Sequence, residues 1–551
     1  MEYDLVIRNG RIVDGTGGAW FRGDIGCKGD KIVSVGRLTS ASADMVVDAS
    51  ELVVSPGFID IHTHTEFTVL ANPQAESYVR QGITTAIAGN CGQSPAPITK
   101  ESTKLDPPPL GITPDWATFG EYFGRVEKQG TAINLGSFVG FGTCRIAAMG
   151  SDAWDRSPTA DELEDMKDMV DKAMQDGAFG LSSGLEYPPQ SFASTSELIE
   201  LAKIAAKHHG TYATHIRSRD LQMIKATREA IEIGEKAGIR VQLSHFGARI
   251  VGGERTGRAV ELVEETRKRG TDVRFDQIVY SPPDDEGNLW CFTGVASAMF
   301  GGSKYTFKGG RITLSMLKDP EVIESLRRDL PNRQYDHIFR QRQGLDNWDT
   351  FVLVHCAKSP QYKGKSFAEI GQMMGKDPFD AAIEILIQEG EEFPKVSGKF
   401  IISSLRDTNC SLLHPLCSVA SDTSVTAPYG VLSFARAGPA ANRPRSYGMF
   451  AWFFEKWVRE YKILTLEDAV RKCTGLPAQS MGLMSRGLIR PGMCADIAIF
   501  DPKRIGSKAT LEDPCRYAEG IDCIIVNGKT VIQKSEHTGA LPGRTLRFNR
   551  L

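Results

Sequence analysis

Eight short apolar runs, each followed by a stretch long enough to hold a helix, set the strongest limit on how this chain of 551 residues can fold. They cover residues 57–64, 84–89, 134–139, 179–183, 211–215, 241–245, 272–276 and 418–422. Parallel strands need a long crossover, which a helix supplies, so this alternation predicts a parallel α/β sheet or barrel. Residues 159–175 predict one of the helices, with Thr159 and Glu162 as a capping box, and 221–237 predict another. Eight units predict an α/β fold of the (β/α)8 TIM-like barrel type over residues 56–480.

Both ends of the chain depart from that pattern. Residues 1–55 read as short strands, with apolar runs at 5–7, 11–13, 25–27 and 31–35. Asn9-Gly10 between two of them predicts a hairpin, since both positions tolerate positive φ. Residues 481–551 repeat the pattern, with runs at 495–500, 523–526 and 529–532 around Asn527-Gly528. Neither end is long enough for a core of its own, so the two predict one small β-sandwich built from both termini. Residues 283–400 separate the seventh and eighth runs and are too long for a loop, which predicts an insertion. Its first part, 284–310, reads as irregular and 379–388 as an amphipathic helix. A lid over the barrel mouth is one reading of this insertion and an ornamental addition the other.

Composition removes several classes of function. With 41% hydrophobic residues, 24% charged residues and a formal net charge of -3, the chain has the balance of a globular enzyme. It offers no basic footprint for nucleic acid. No apolar stretch is long enough to span a bilayer, and Met1-Glu2-Tyr3-Asp4 lacks a signal pattern, so no membrane partner and a cytoplasmic location are expected. The 11 cysteines include no C-x-x-C pair, and an odd number argues for buried thiols over a disulfide framework.

Side chains at i and i+2 of an extended chain share a side, so His62 and His64 present two imidazoles to one point. His62, His64, Cys91, Glu186, His215, His245 and Asp422 each fall at or just after the C-terminal end of a predicted strand, the face of a barrel that carries chemistry. Imidazole, thiolate and carboxylate all ligate zinc, and seven such groups exceed what one four-coordinate ion needs. The set predicts Zn2+, as one or two ions. His208, His209, His337, His355, His414 and His537 lie elsewhere and read as surface or packing residues.

Three stretches resemble the D-aminoacylase (N-acyl-D-amino-acid deacylase) branch of the amidohydrolase superfamily. They are Pro56-Gly57-Phe58-Ile59-Asp60-Ile61-His62-Thr63-His64; Gly82-Ile83-Thr84-Thr85 with Gly89-Asn90-Cys91-Gly92; and Gly180-Leu181-Ser182-Ser183-Gly184-Leu185-Glu186-Tyr187-Pro188-Pro189. The likeness runs over nearly the whole chain, to Pro491-Gly492-Met493-Cys494-Ala495-Asp496. It implies a zinc-dependent barrel enzyme whose small-molecule substrate is an N-acyl-D-amino acid. It further implies that Cys91, His215 and His245 hold one zinc tightly, that His62, His64 and Asp422 form a weaker second position, and that Glu186 either bridges the two or stands as an acid behind the ligands or at the rim. Asp422 is implied as the catalytic proton shuttle, Arg445 as the anchor of the substrate carboxylate, and Tyr187 as a second contact to it.

The chain departs from the branch on the substrate side. Where relatives carry a lysine two residues beyond the sixth-strand histidine, this chain has Gly247, with Arg249 nearby but displaced. Ser421-Asp422-Thr423-Ser424 replaces the more usual Asp-Gly. A related hydrolase acting on a cyclic ureide, a dipeptide or an unusual N-acyl compound therefore stays open. A non-catalytic metal-binding barrel is the rival of another class, and the full ligand set with Asp422 beside it argues against that reading. Acyl group, amino acid, metal count and homo-oligomerisation stay open.

Overall fold

The computed structural model describes residues 2–38, 41–220, 222–249, 255–280, 288–300, 312–329, 347–433, 443–510 and 513–548. Each of the eight apolar runs holds a strand. Phe58–Asp60, Ile83–Ala88 and Asn134–Ser137 pair in parallel in that order. Val139–Gly140, Gly180–Gly184, Thr211–His215, Arg240–Leu243, Val273–Gln277 and Cys417–Val419 form a second parallel sheet, again in chain order. At one edge Phe138 N donates to Ala88 O (2.9 Å) and Phe179 N to Ser137 O (2.9 Å), which carries the ladder from one sheet into the next. At the other, His64 N donates to Thr423 O (2.8 Å) and Asp422 N to His62 O (2.9 Å). Every strand therefore delivers its C-terminal end to the same side.

The helices between them follow from local sequence. Ala160–Asp176 starts at Thr159, whose side chain accepts from Glu162 N while the Glu162 side chain returns to the Thr159 N–H. This is the capping box the sequence predicts. Met166, Val170, Ala173 and Met174 form its buried stripe, and Gly177 at φ 114° ends it. Met223–Ala237 ends in the same way at Gly238, φ 68°.

Strands from the two termini share one nine-stranded sheet. Its seam is Val53–Pro56 paired antiparallel with Ile497–Phe500, so the strand that leads into the first parallel sheet is clasped by the far end of the chain. Asn527-Gly528, at φ 47° and 76°, makes the two-residue turn between Ile521–Val526 and Lys529–Gln533. The predicted Asn9-Gly10 hairpin is overturned. Glu2–Ile12 is one strand, and Asn9 (φ 60°) sits in a bulge where its register with Phe21–Lys28 slips between Ile7 and Gly10. Asn-Gly satisfies a bulge as well as a turn, because both need positive φ. Asp24 takes the Asn9 N–H at 2.9 Å and so holds the bulge against the neighbouring strand.

Asn288–Gly294, Val352–His355 and Ser397–Ser404 form a separate three-stranded antiparallel sheet. A core of its own, including Phe351, Phe367, Phe379, Leu386 and Phe393, packs with it. The irregular reading of 284–310 is corrected for the described part, where Asn288–Gly294 is a strand and Val295–Phe300 a helix. Asn288-Leu289-Trp290-Cys291-Phe292 is rich in residues that suit a pleated surface. Residues 284–287 and 301–310 lie outside the described residues. The helix read at 379–388 is Pro378–Glu389, capped by Asp377, whose carboxylate accepts from Phe379 N at 2.9 Å.

Candidate metal centre

Strand ends bring the chemistry together. His215 is the last residue of its strand, His245 lies two residues beyond Arg240–Leu243, and Asp422 three beyond Cys417–Val419. Cys91, His245 and Asp422 have φ of 53°, 37° and 49°, which is strained backbone for side chains with a Cβ. Such strain persists where the surroundings over-determine the geometry, and here it turns three side chains inward.

Ligand atoms of His62, Cys91, His245 and Asp422 lie within 4.8 Å of one another. Cys91 Sγ is 3.4 Å from His62 Nε2 and 3.9 Å from both His245 Nε2 and His215 Nδ1. His64 Nε2 lies 3.1 Å from Asp422 Oδ1, and His62 Nε2 lies 3.6 Å from the same oxygen. Glu186 enters through His215, whose Nε2 its carboxylate meets. Tyr187 Oη is 3.3 Å from His215 Nδ1. Arg445 Nη2 donates to Asp422 O (2.8 Å) and Oδ2 (3.0 Å). All nine site residues predicted from the sequence thus belong to one contact network.

The donors in this network suit a cation. Burial works against charged imidazoles, but Cys91 and Asp276 hold His62 well above the usual imidazole range, and Asp422 and Cys91 raise His64 to about 10, so a metal ion bound there would take the place of protons. Burial pushes the Cys91 thiol up, but the charge of His62 and hydrogen bonds from His215, His245 and His62 outweigh it and hold the group well below the usual thiol range. Burial likewise works against an ionised Asp422, and Arg445, His64 and His62 reverse that to hold it well below the usual carboxylate range. Burial and the neighbouring Arg219 guanidinium hold His245 well below the usual imidazole range, leaving it neutral as a ligand must be. A thiolate, a neutral imidazole and an ionised carboxylate in one buried cluster fit a divalent zinc by the chemistry of the donors.

Three further residues reach the site without having been singled out as ligands. Asp276 ends the seventh run; its Oδ1 accepts from His245 N (2.7 Å) and lies 3.6 Å from His62 Nδ1. An acid at the end of a predicted strand was the available signal for it. Arg219 Nη1 lies 2.9 Å from His245 Nδ1, and Arg249 Nη2 contacts Glu186 and sits 3.1 Å from His215 Nε2. Both leave loops after strands, where spacing carries no signal. Deeper down, buried Asp60 accepts from Ser421 N (3.1 Å) and His62 N (3.3 Å), tying the first strand end to the eighth. Of the other histidines, His208 lies 2.7 Å from Asp171 and His414 3.0 Å from Glu264, while His337 lies outside the described residues.

A cavity of about 320 Å³ opens on the cluster, with His64, Cys91, Tyr187, Asp422 and Arg443 in its wall. No helix among the described residues is long and apolar enough to cross a membrane.

Residues 45–184 and 418–532 match the amidohydrolase family. N-acyl-D-aspartate deacylase of Alcaligenes xylosoxydans xylosoxydans is 30% identical over 552 residues, covering 99% of this chain and 95% of that protein. D-aminoacylase of the same organism is 29% identical, covering 99% and 97%. The crystal structure of N-acyl-D-glutamate deacylase from Bordetella bronchiseptica, complexed with zinc and a phosphonate mimic of the tetrahedral intermediate, matches at a TM-score of 0.76 and 28% identity. It covers 99% of this chain and 100% of that one. A D-aminoacylase structure described as having a binuclear metal centre matches at 0.75 with the same identity and coverage. The chain belongs to the amidohydrolase family, and it is an enzyme that hydrolyses C–N bonds other than peptide bonds. Within the family it falls in the D-aminoacylase branch, and its cofactor is zinc.

Proposed function

We propose that the protein is a zinc-dependent deacylase that splits an N-acyl-D-amino acid into a carboxylate and a D-amino acid. One observation carries this reading: His62, Cys91, His245 and Asp422 gather their ligand atoms within 4.8 Å beside a cavity with a guanidinium in its wall. Eight parallel strand positions, the third broken into Asn134–Ser137 and Val139–Gly140, are hydrogen-bonded at both sheet edges and support a (β/α)8 barrel at residues 56–480 as its frame. Residues 1–55 and 481–551 then form the small β domain, and 283–400 the insertion, whose described part has a three-stranded sheet and a core of its own.

Cys91, His215 and His245 would hold one zinc, and His62, His64 and Asp422 a second, with Glu186 reaching His215 from the far side. Cys91 Sγ lies 3.4 Å from His62 Nε2 and 3.9 Å from both His215 Nδ1 and His245 Nε2, so the two groups of donors are in contact. Zinc supplies Lewis acidity, making water acidic enough to attack near neutral pH and polarising the amide carbonyl. Asp422, kept ionised by Arg445 and His64, takes the proton of the attacking water and passes it to the departing amine nitrogen. Arg445 and Tyr187 bind the substrate carboxylate; Arg249 brings to the site a cation that Gly247 cannot provide.

The test is a screen of N-acetyl and N-formyl amino acids of both configurations, with zinc measured on the same preparation. Turnover of D-isomers and little of L-isomers is the expected result. Zinc-loaded protein that turns over no D-isomer overturns the reading.

A further inference from the structure

A second cavity, of about 550 Å³, adjoins the first and shares His64, Gln93 and Ser424 with it. Its wall carries Phe67, Pro97, Ile98, Leu110 and Ile146. Several polar side chains also face it, but they are consumed locally. Ser102 Oγ donates to Thr99 O (3.0 Å), Thr103 Oγ1 to Lys100 O (3.0 Å), and Thr143 Oγ1 accepts from Ser94 N (2.9 Å). Apart from His64, Glu66, Gln93 and Asp106, what such a wall offers a ligand is largely carbon. The loop that carries it is fixed in place, since Ile98 N donates to Ala117 O (2.9 Å) and Trp116 Nε1 to Pro95 O (2.8 Å).

Charge sets the orientation of a substrate that spans both cavities. Among the described residues the larger cavity carries no Lys or Arg in its wall and shares His64 with the smaller one, whereas Arg443 lines the smaller one and Arg445 stands at Asp422. An α-carboxylate finds its guanidinium partners only in the second. The uncharged end of an N-acyl amino acid is then the end that enters the larger cavity.

We infer that this cavity is the acyl-chain subsite, and that it makes the enzyme prefer aliphatic acyl groups longer than acetyl. The inference rests on the proposed deacylase activity and names the acyl class that activity leaves open. Each methylene buried against such a wall is worth about 0.8 kcal/mol, about fourfold in kcat/KM while there is room to fill.

The experiment compares kcat/KM for N-acetyl, N-butyryl and N-hexanoyl derivatives of one D-amino acid on the zinc-loaded enzyme. A rise of at least about tenfold from acetyl to hexanoyl is expected. Ile98→Trp and, on the outer part of the loop, Leu110→Trp should each collapse the hexanoyl-to-acetyl ratio towards one. Equal or falling rates along the wild-type series overturn the subsite while leaving the deacylase reading in place. So does a ratio that both variants leave unchanged. Absence of turnover for every acyl derivative overturns the deacylase reading, and the subsite falls with it.

Discussion

Gln190 shows how a residue with no titrating group controls the metal cluster. Cys91 sits at φ 53°, and something must hold it there. Gln190, 2% exposed, donates from Nε2 to Cys91 O (3.0 Å) and accepts Gly184 N at Oε1 (2.7 Å), bridging the second and fourth strand ends. From below, Ser182 Oγ accepts Gly92 N at 3.1 Å. Gln190→Ala should weaken zinc retention roughly tenfold, read by competition with a chelator. Zinc affinity equal to wild type would show that the Cys91 turn holds itself. Arg445 carries a different prediction, because it has two jobs that kinetics can separate. It keeps Asp422 ionised, so Arg445→Met should lower kcat on every substrate. As the carboxylate anchor it should also raise KM, by roughly tenfold or more, for an anionic substrate but not for its neutral amide. Equal KM changes for the two would remove the anchor role. Such roles were unevenly legible. His62, His64, Cys91, His215, His245 and Asp422 announce themselves because zinc-ligating residue types recur at strand ends. Arg219 does not, because a loop arginine is ordinary until the loop folds back onto His245, and Arg249 stood out only as a displaced neighbour of the missing lysine, with no sign of its contact to His215.

At the level of elements, local rules were readable wherever a single conformation satisfies the residues. Thr159 with Glu162 can do little but cap a helix, and it does. Asn-Gly is ambiguous, since it requires positive φ without specifying a turn: Asn527-Gly528 makes the hairpin and Asn9-Gly10 the bulge. The difference lies in the partner strand, which local sequence does not contain. Thr159→Ala should cost about 1 kcal/mol of stability by leaving the Glu162 N–H without its acceptor. A shift in denaturation midpoint well below that would mean neighbouring packing holds the first turn. The same turn carries a pH dependence. Arg156, with help from the Thr159 N–H, lowers the Glu162 carboxyl to about 2. A carboxyl depressed on folding contributes stability above its unfolded value, near 4.3, and loses it as pH falls towards 2. Glu162→Gln should therefore flatten the acid limb of a stability curve between roughly pH 4 and 2. An unchanged limb would assign acid sensitivity elsewhere.

For the whole molecule, the question is what makes the terminal sheet and the parallel strands one structure. Asp496 answers much of it. The carboxylate pairs with buried Arg486, accepts Asn134 Nδ2 (3.1 Å) from the third parallel strand, and accepts Asn527 N (2.7 Å) from the hairpin turn. Asn527 Nδ2 returns to Asn134 Oδ1 at 2.8 Å, and Arg486 Nη2 reaches Asn527 Oδ1 at 2.9 Å, so the four side chains close on one another. Side-chain exposure of Arg486 and Asp496 is 5% and 4%, so removing one partner strands a buried charge. Asp496→Ala should destabilise by about 3–5 kcal/mol, whereas replacing both Arg486 and Asp496 by apolar residues of similar volume should cost far less. The comparison needs both variants followed by activity loss and by amide hydrogen exchange of the terminal strands in denaturant. If the clasp joins the termini to the catalytic frame, protection and activity are lost together in Asp496→Ala and at a lower denaturant concentration than in wild type. Exchange of the terminal strands rising first while activity persists would mean that the terminal sheet can release without disturbing the metal cluster. In that case Asp496 stabilises its own sheet alone.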